Sequence, residues 1–295
     1  MLQKTDSPVP SLLFFGGPYG NLQALMAFRA IAEEMGLPPS SIVCTGDTVA
    51  YCAQPYETVE EIRRWGVQVV AGNVELQLAN DAGDCGCNFI KGSVCDRLSE
   101  QWYAFANSRI TGEQRDWMRS LPTTLTLQIG GRKIGVVHGS HANVSEFLFR
   151  SSPWEKKLPN FAGLECDVIV GGHCGIPFIE PCGDKLWVNA GVIGMPANDG
   201  TRRGWYLLVG ESEEVLEFSL CSFDFDSEQA ARLIDEQGLP CEYASTLQTG
   251  LWCSMDNLPM EERAFQRVPL SFSPVRFPKL SSANTYFFDG GRLTR

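Results

Sequence analysis

The feature that most constrains this chain is a junction that recurs along it. A short apolar run stops at glycine, and the glycine is followed by a polar or metal-capable residue. Leu12–Phe15 stops at Gly16-Gly17-Pro18, Ile42–Cys44 runs into Gly46-Asp47, and Val67–Val70 ends at Gly72-Asn73. Each run has the length of a buried strand, and each glycine lets the backbone turn or pass close to other atoms. Helical patterns lie between the runs. Leu22, Leu25, Phe28, Ala32 and Met35 recur at helical spacing, with Asn21 placed to cap them and Gly36-Leu37-Pro38-Pro39 to stop them. Tyr56–Trp65 reads as a second helix. This β-α-β-α-β rhythm predicts parallel strands, right-handed crossovers and a ligand site at the carboxyl ends of the strands.

The second half changes rhythm. Thr123–Ile129, Lys133–Val137, Val168–Val170, Phe178–Ile179, Leu186–Val188, Trp205–Val209 and Val215–Leu220 read as strands, with Gly130-Gly131 and Gly183-Asp184 as hairpin turns. Hairpins among them predict a second, partly antiparallel sheet. Ser227–Gln237 reads as a helix capped by Ser227. The expected organisation is one domain over residues 1–226 and a helical and irregular extension over 227–295. The extension carries Leu233, Ile234, Leu251, Trp252, Phe265, Phe272, Phe277, Tyr286 and Phe287. So much apolar surface is expected to pack on the domain or at a homo-oligomer interface.

Composition narrows the partners. With 44% hydrophobic and 20% charged residues, the 295-residue chain can build a sizeable core. Its 24 basic against 35 acidic residues give a net charge of −11, the wrong sign for duplex nucleic acid. The tryptophans, among them Trp65, Trp102, Trp154, Trp187, Trp205 and Trp252, lack surrounding basic patches and read as core or interface anchors. No apolar run reaches the roughly 18 residues of a membrane span. The opening MLQKTDSPVP lacks the pattern of a secretory signal, and 11 cysteines cannot all pair within one chain. A cytoplasmic protein with reduced thiols is the expectation.

Two later junctions repeat the first theme: Val137-His138-Gly139 and Gly172-His173-Cys174-Gly175. If all the strand ends converge on one sheet edge, Asp47, Asn73, His138 and His173 surround one point. One carboxylate, one amide oxygen and two imidazoles suit a divalent Mn, Fe or Zn ion. Other chemistries lack their signatures. There is no Gly-x-x-x-x-Gly-Lys-Ser/Thr loop, no Gly-x-Gly-x-x-Gly after the first strand and no Gly-x-Ser-x-Gly elbow.

In these segments the chain resembles the calcineurin-like metallophosphoesterases, in particular their small bacterial phosphodiesterase and diadenosine-tetraphosphatase-like members. The resemblance runs from Leu12 to Leu220. It includes Asn189-Ala190-Gly191-Val192-Ile193-Gly194-Met195-Pro196, similar to the family's Asn-x-Gly-Ser-x-Gly-x-Pro. The resemblance implies a four-layer α/β/β/α sandwich of two mixed sheets flanked by helices, with a metal centre at the strand ends. The departures from the family pattern are grouped. The Asp and His of the family's first motif fall at Gly17 and Tyr19, the catalytic His of its Gly-Asn-His motif at Val74, and the last His of Gly-His-x-His at Gly175. By the family's pattern one metal site has kept only the shared Asp47. The other is whole, as Asp47, Asn73, His138 and His173. A hydrolase of small phosphomonoesters, phosphodiesters or nucleotides with one divalent metal is the expectation. The alternative is a non-catalytic relative that binds a phosphate-containing ligand or a protein partner.

Several residues have two readings. Tyr19 either donates its phenol to a phosphate oxygen or to a ferric ion, or simply fills the volume of the missing metal. His141 is either a general acid reaching the site from three residues beyond His138 or an ordinary surface histidine. Glu75 and Asn143 are weaker candidates. Cys85-Gly86-Cys87 with Cys95 is the densest thiol group, read as a zinc or iron–sulfur site completed by Cys52 or Cys174, as a redox-sensitive pair, or as inert packing. The remaining cysteines read as small hydrophobes.

Overall fold

In the computed structural model the described residues are 11–280. The first half contains β1 (Ser11–Phe15), α1 (Leu22–Glu34), β2 (Ile42–Cys44), α2 (Pro55–Trp65), β3 (Gln68–Val69), α3 (Asn73–Ala79), α4 (Val94–Asn107) and α5 (Gly112–Ser120). Next come β4 (Thr124–Ile129), β5 (Arg132–Val137), α6 (Trp154–Leu164), β6 (Val168–Gly171), β7 (Phe178–Cys182) and β8 (Lys185–Asn189). The chain continues through β9 (Gly204–Glu211), β10 (Val215–Phe223), α7 (Ser227–Glu236), α8 (Cys241–Thr249), α9 (Met260–Arg263) and β11 (Val275–Pro278).

Two mixed sheets face each other. One has the order β11-β10-β9-β1-β2-β3, the other β4-β5-β6-β8-β7. Strands β1, β2 and β3 run parallel, as do β5, β6 and β8, while β9, β10 and β11 join antiparallel. The period-two alternation of β1 makes the layers. Phe14 points between the sheets with Val43, Val136, Val170, Val188 and Leu207. Leu13 and Phe15 point outward to Leu25 and Phe28 of α1 and Ile62 and Trp65 of α2. On the outer face of the other sheet, Ile169 and Trp187 pack against Phe161 and Leu164 of α6. This is the four-layer α/β/β/α arrangement.

Three sequence expectations need correction. Strands β9 and β10 do not belong to a separate second-half sheet; β9 returns to pair with β1 from Ser11↔Gly210 to Phe15↔Tyr206. The reason is the crossover after β8, a connection whose length fits either sheet. The cap of α7 is Asp226, whose carboxylate accepts from the Gln229 N–H at 2.9 Å; Ser227 is the first helical residue. The extension from residue 227 contains a strand, β11, that extends the first sheet beside β10.

The extension also builds a further layer. Ala230, Ala231 and Ile234 of α7 and Tyr243, Ala244 and Leu247 of α8 join Leu78, Leu98 and Trp102 in a buried cluster that caps the strand ends. Tyr286 and Phe287 lie outside the described residues. Among the described residues no helix is long and apolar enough to cross a membrane.

Candidate metal centre

The parallel strands deliver their carboxyl ends to one edge. Asp47 follows β2, Asn73 opens α3 just after β3, His138 follows β5, and His173 follows β6; all four are buried. Close backbone approach makes this possible. A Cβ on Gly46 would stand 2.6 Å from the Gly72 nitrogen and 2.8 Å from His138 Nδ1, so only glycine lets the β2 loop pass between them.

His138 lies at the centre. Its Nδ1 donates to the Thr45 carbonyl at 2.6 Å, which leaves Nε2 as a lone pair. Around that Nε2 stand Asn73 Oδ1 at 3.1 Å, His173 Nδ1 at 3.1 Å and Asp47 Oδ2 at 3.2 Å. The ligand atoms of Asp47, His138 and His173 all lie within 4.8 Å of one another. Four lone-pair atoms facing inward repel unless a proton or a cation lies among them. Spacings of 3.1–3.2 Å also suit neighbouring ligands on one ion with bonds of about 2.0–2.2 Å. The residues therefore fit a divalent metal.

Burial opposes charge on Asp47, yet the His138 imidazole outweighs it and holds the carboxyl below its ordinary range. Burial likewise opposes protonation of His138, and Asp47 outweighs it in turn and raises that imidazole. Burial and the neighbouring His138 push His173 down to about 3, so it stays a neutral donor. Its Nε2 is buried without a well-aligned partner.

The supports are as ordered as the inner atoms. Asn73 Nδ2 donates to the Cys85 carbonyl at 2.8 Å and to Cys87 Sγ at 3.2 Å, which aims its Oδ1 at the histidines. Glu75 is fully buried and accepts from Asp47 N, Gly72 N, Thr48 N and Thr48 Oγ1 at 2.7–2.9 Å. Burial, reinforced by the charge of Asp47, raises this carboxyl. Asn189 donates to the Gly172 carbonyl at 2.6 Å and so fixes the loop that carries His173.

Other candidates are placed elsewhere. His141 is exposed, with its Nε2 2.9 Å from where a Cβ on Gly163 would stand, so the general-acid reading fails on position. The loop turns back at Ser140, whose N–H donates to the Asn143 carbonyl, and carries His141 outward. Asn143 shapes the same turn by accepting from the Ser145 N–H at 3.0 Å. Cys85, Cys87 and Cys95 do not bring three ligand atoms within 4.8 Å, so the zinc or iron–sulfur reading is not met. The Cys87 sulfur accepts from Asn73, Cys85 meets Asn73 through its backbone carbonyl and not its thiol, and Cys95 sits in the first turn of α4. Cys52 and Cys174 turn their sulfurs to the Gly194 and Ile176 carbonyls.

The positions that depart from the family pattern are filled. A Cβ on Gly17 would run into the Tyr19 ring and stand 2.7 Å from Val192 Cγ1. Val74 is buried in the cap cluster beside Tyr19. The indole of Trp252 lies 3.4 Å from where a Cβ on Gly175 would stand. Tyr19, Val192 and Trp252, together with Tyr51, Phe147 and Tyr243, line a cavity of about 110 Å³ that reaches Asp47 and His173. Neither Tyr51 nor Trp252 carries a sequence signal for this placement; for Glu75 the helix-start pattern Gly72-Asn73-Val74-Glu75 is one.

The family model for the calcineurin-like phosphoesterase superfamily domain matches residues 23–213, and the chain belongs to that superfamily. An uncharacterised protein of Methanocaldococcus jannaschii is 26% identical over 239 residues, 75% of this chain and 90% of the relative. The crystal structure of a hypothetical protein from Pyrococcus horikoshii OT3 superposes with a TM-score of 0.69 at 20% identity, over 82% of this chain and 99% of that one. A metallophosphoesterase from Sphaerobacter thermophilus superposes with a TM-score of 0.63 at 19% identity, over 82% of this chain and all of its own, 100%. At these identities the likeness shows the fold.

Proposed function

We propose that the protein is a metal-dependent phosphoester hydrolase with a mononuclear centre, held by Asp47, Asn73, His138 and His173. The observation that supports it most is the convergence of lone pairs on His138 Nε2 while Nδ1–H is committed to Thr45. When bound, a Mn, Fe or Zn ion supplies Lewis acidity toward a phosphoryl oxygen and makes water nucleophilic near neutral pH. The chain's own residues do the rest. Thr45 fixes the His138 tautomer, Glu75 holds the Asp47 loop, and Asn73 is aimed by the Cys85–Cys87 turn. Hydrolysis consumes only water: one P–O bond forms, the ester P–O bond breaks, and the departing oxygen takes the proton that water releases. Val74 brings no acid to that step, a deficit of roughly 10²–10⁴-fold against an enzyme that has one. Small phosphorylated molecules in a cytoplasmic setting are the proposed substrates.

Elemental analysis of purified protein, followed by turnover of aryl phosphoesters with added Mn, Fe or Zn, tests the reading. About one transition metal per chain and metal-dependent turnover are expected. Two metals per chain would overturn the mononuclear centre. One metal with no turnover across mono- and diesters would favour a ligand-binding relative, the reading that the occupied positions at Tyr19, Val74 and Trp252 favour.

A further inference from the structure

Resting on that reading, we infer that the cavity beside Asp47 and His173 is a specificity pocket for one compact aromatic arm of a phosphodiester carrying a single negative charge. Two properties of its wall carry the inference. The first is a wall rich in aromatic rings. Tyr19 meets Tyr51 edge-on at 4.8 Å, Tyr51 meets Tyr243 at 4.9 Å, and Phe147 lies 4.1 Å from the His173 ring. Trp252 completes the enclosure and is fixed at both ends: its Nε1–H donates to the Pro196 carbonyl at 2.7 Å and its backbone N–H to Asn198 Oδ1 at 2.8 Å. Such rings present faces and edges at which another ring stacks or meets edge-on.

The second property is charge. Among the described residues no lysine or arginine lines the cavity. Phosphate sites that accept dianions supply arginine or lysine clamps, because a desolvated anion needs compensating donors. Here any compensation comes from the metal centre, where Asp47 already supplies a negative charge and the buried Glu75 stands behind it. A monoester dianion or a polyphosphate therefore fits poorly, and a monoanionic diester fits. Size sets the arm. An apolar cavity of about 150 Å³ takes a benzene ring. The present cavity, about 110 Å³, is smaller than that and open on one side, so it takes at most one such ring, with part of the ring left at the open side, and has no room for a whole nucleoside.

The test uses the full chain loaded with Mn and measures binding by calorimetry, so it is independent of turnover. Diphenyl phosphate, dimethyl phosphate and phenyl phosphate separate arm from charge. Diphenyl phosphate is expected to bind about tenfold or more tighter than either of the others. Trp252→Ala should erase most of the aryl advantage. Cys253→Arg is a second variant, placed at an exposed residue of the cavity wall where folding is not at stake; it should raise phenyl phosphate affinity about tenfold relative to diphenyl phosphate. Equal binding of dimethyl and diphenyl phosphate, or tighter binding of phenyl phosphate by wild type, overturns the pocket. Parallel kinetics on 4-nitrophenyl phenyl phosphate and 4-nitrophenyl phosphate keep the two readings apart. Turnover without aryl or charge preference sinks the pocket and leaves the hydrolase. The binding preference without turnover sinks the hydrolase and leaves the pocket.

Discussion

The two sides of the strand-end edge differ in kind. On one side, around His138 Nε2, the nearby atoms are polar donors of electron density, and His138, Asn73 and the Asp47 loop are held by hydrogen bonds behind them. On the other side, the positions of the family's second site are packed: the Tyr19 ring against Gly17, Val74 in the cap cluster, Trp252 over Gly175. The comparison teaches that rings stand where the missing ligands would, and that the space left beside them is the cavity of about 110 Å³ that they line. Aromatic rings give that space an apolar wall, where a polar hole would hold water. The remodelled side relies on a segment outside the family match, because Trp252 and Tyr243 come from the extension.

The sharpest way to break the polar side is His138→Ala. It removes the central nitrogen and exposes Thr45 O, Asn73 Oδ1 and Asp47 Oδ2 to one another without their partner. Bound metal should fall from about one per chain to near none, with turnover down by more than the roughly 10–100-fold that loss of a supporting group costs. Elemental analysis with circular dichroism to confirm folding checks this. A folded variant that keeps its metal would show that the ligands are elsewhere.

The packed side is tested by Gly17→Asp, which returns the family's residue to its place. Gly17 has φ +42°, and its Cβ would collide with Tyr19 and Val192. Overpacking and positive φ together should cost about 2–4 kcal/mol in urea unfolding. Adding Tyr19→Ala should return about 1–2 kcal/mol of that, because the two changes share one space. A Gly17→Asp protein as stable as wild type would mean that this side is loose, and that the aromatic filling is incidental.

The polar side was legible in the sequence; of the packed side only the filling by Tyr19 was, as one of two readings of that residue. Asp47, Asn73, His138 and His173 each follow an apolar run and a glycine or strand end, and that local grammar places them on one edge whatever the loops do. Trp252 reaches Gly175 only through the tertiary path of α7 and α8, which periodicity does not encode. Strand β9 shows the same limit at the level of the fold: its alternation says strand, but a residue pattern does not say which of two sheets it joins. His141 shows it at the level of the site, since spacing from His138 counts only while the chain stays regular, and here it turns at Ser140. The thiols misled for a related reason. One thiol, that of Cys87, does serve the centre, by holding Asn73 beside the Cys85 backbone carbonyl rather than by joining a thiol cluster.

The smallest expected effect concerns what keeps the polar side in shape. Glu75 offers both oxygens to four donors, Asp47 N, Gly72 N, Thr48 N and Thr48 Oγ1. Glu75→Gln preserves shape and one acceptor oxygen but turns an NH₂ toward two donors at the other, leaving buried N–H groups unpaired. The Asp47 loop then relaxes by a fraction of an ångström. The ligands themselves remain, so metal stoichiometry should stay at about one per chain. The dissociation constant for Mn should rise about 10–100-fold, the usual cost of losing a group that orients a ligand. Competition against a fluorescent chelator measures the constant, and thermal unfolding in parallel measures stability. A residue that merely braces the fold would lower the unfolding temperature and leave the constant alone; that result would remove Glu75 from the centre and assign the ordering of Asp47 to the backbone of the glycine loop.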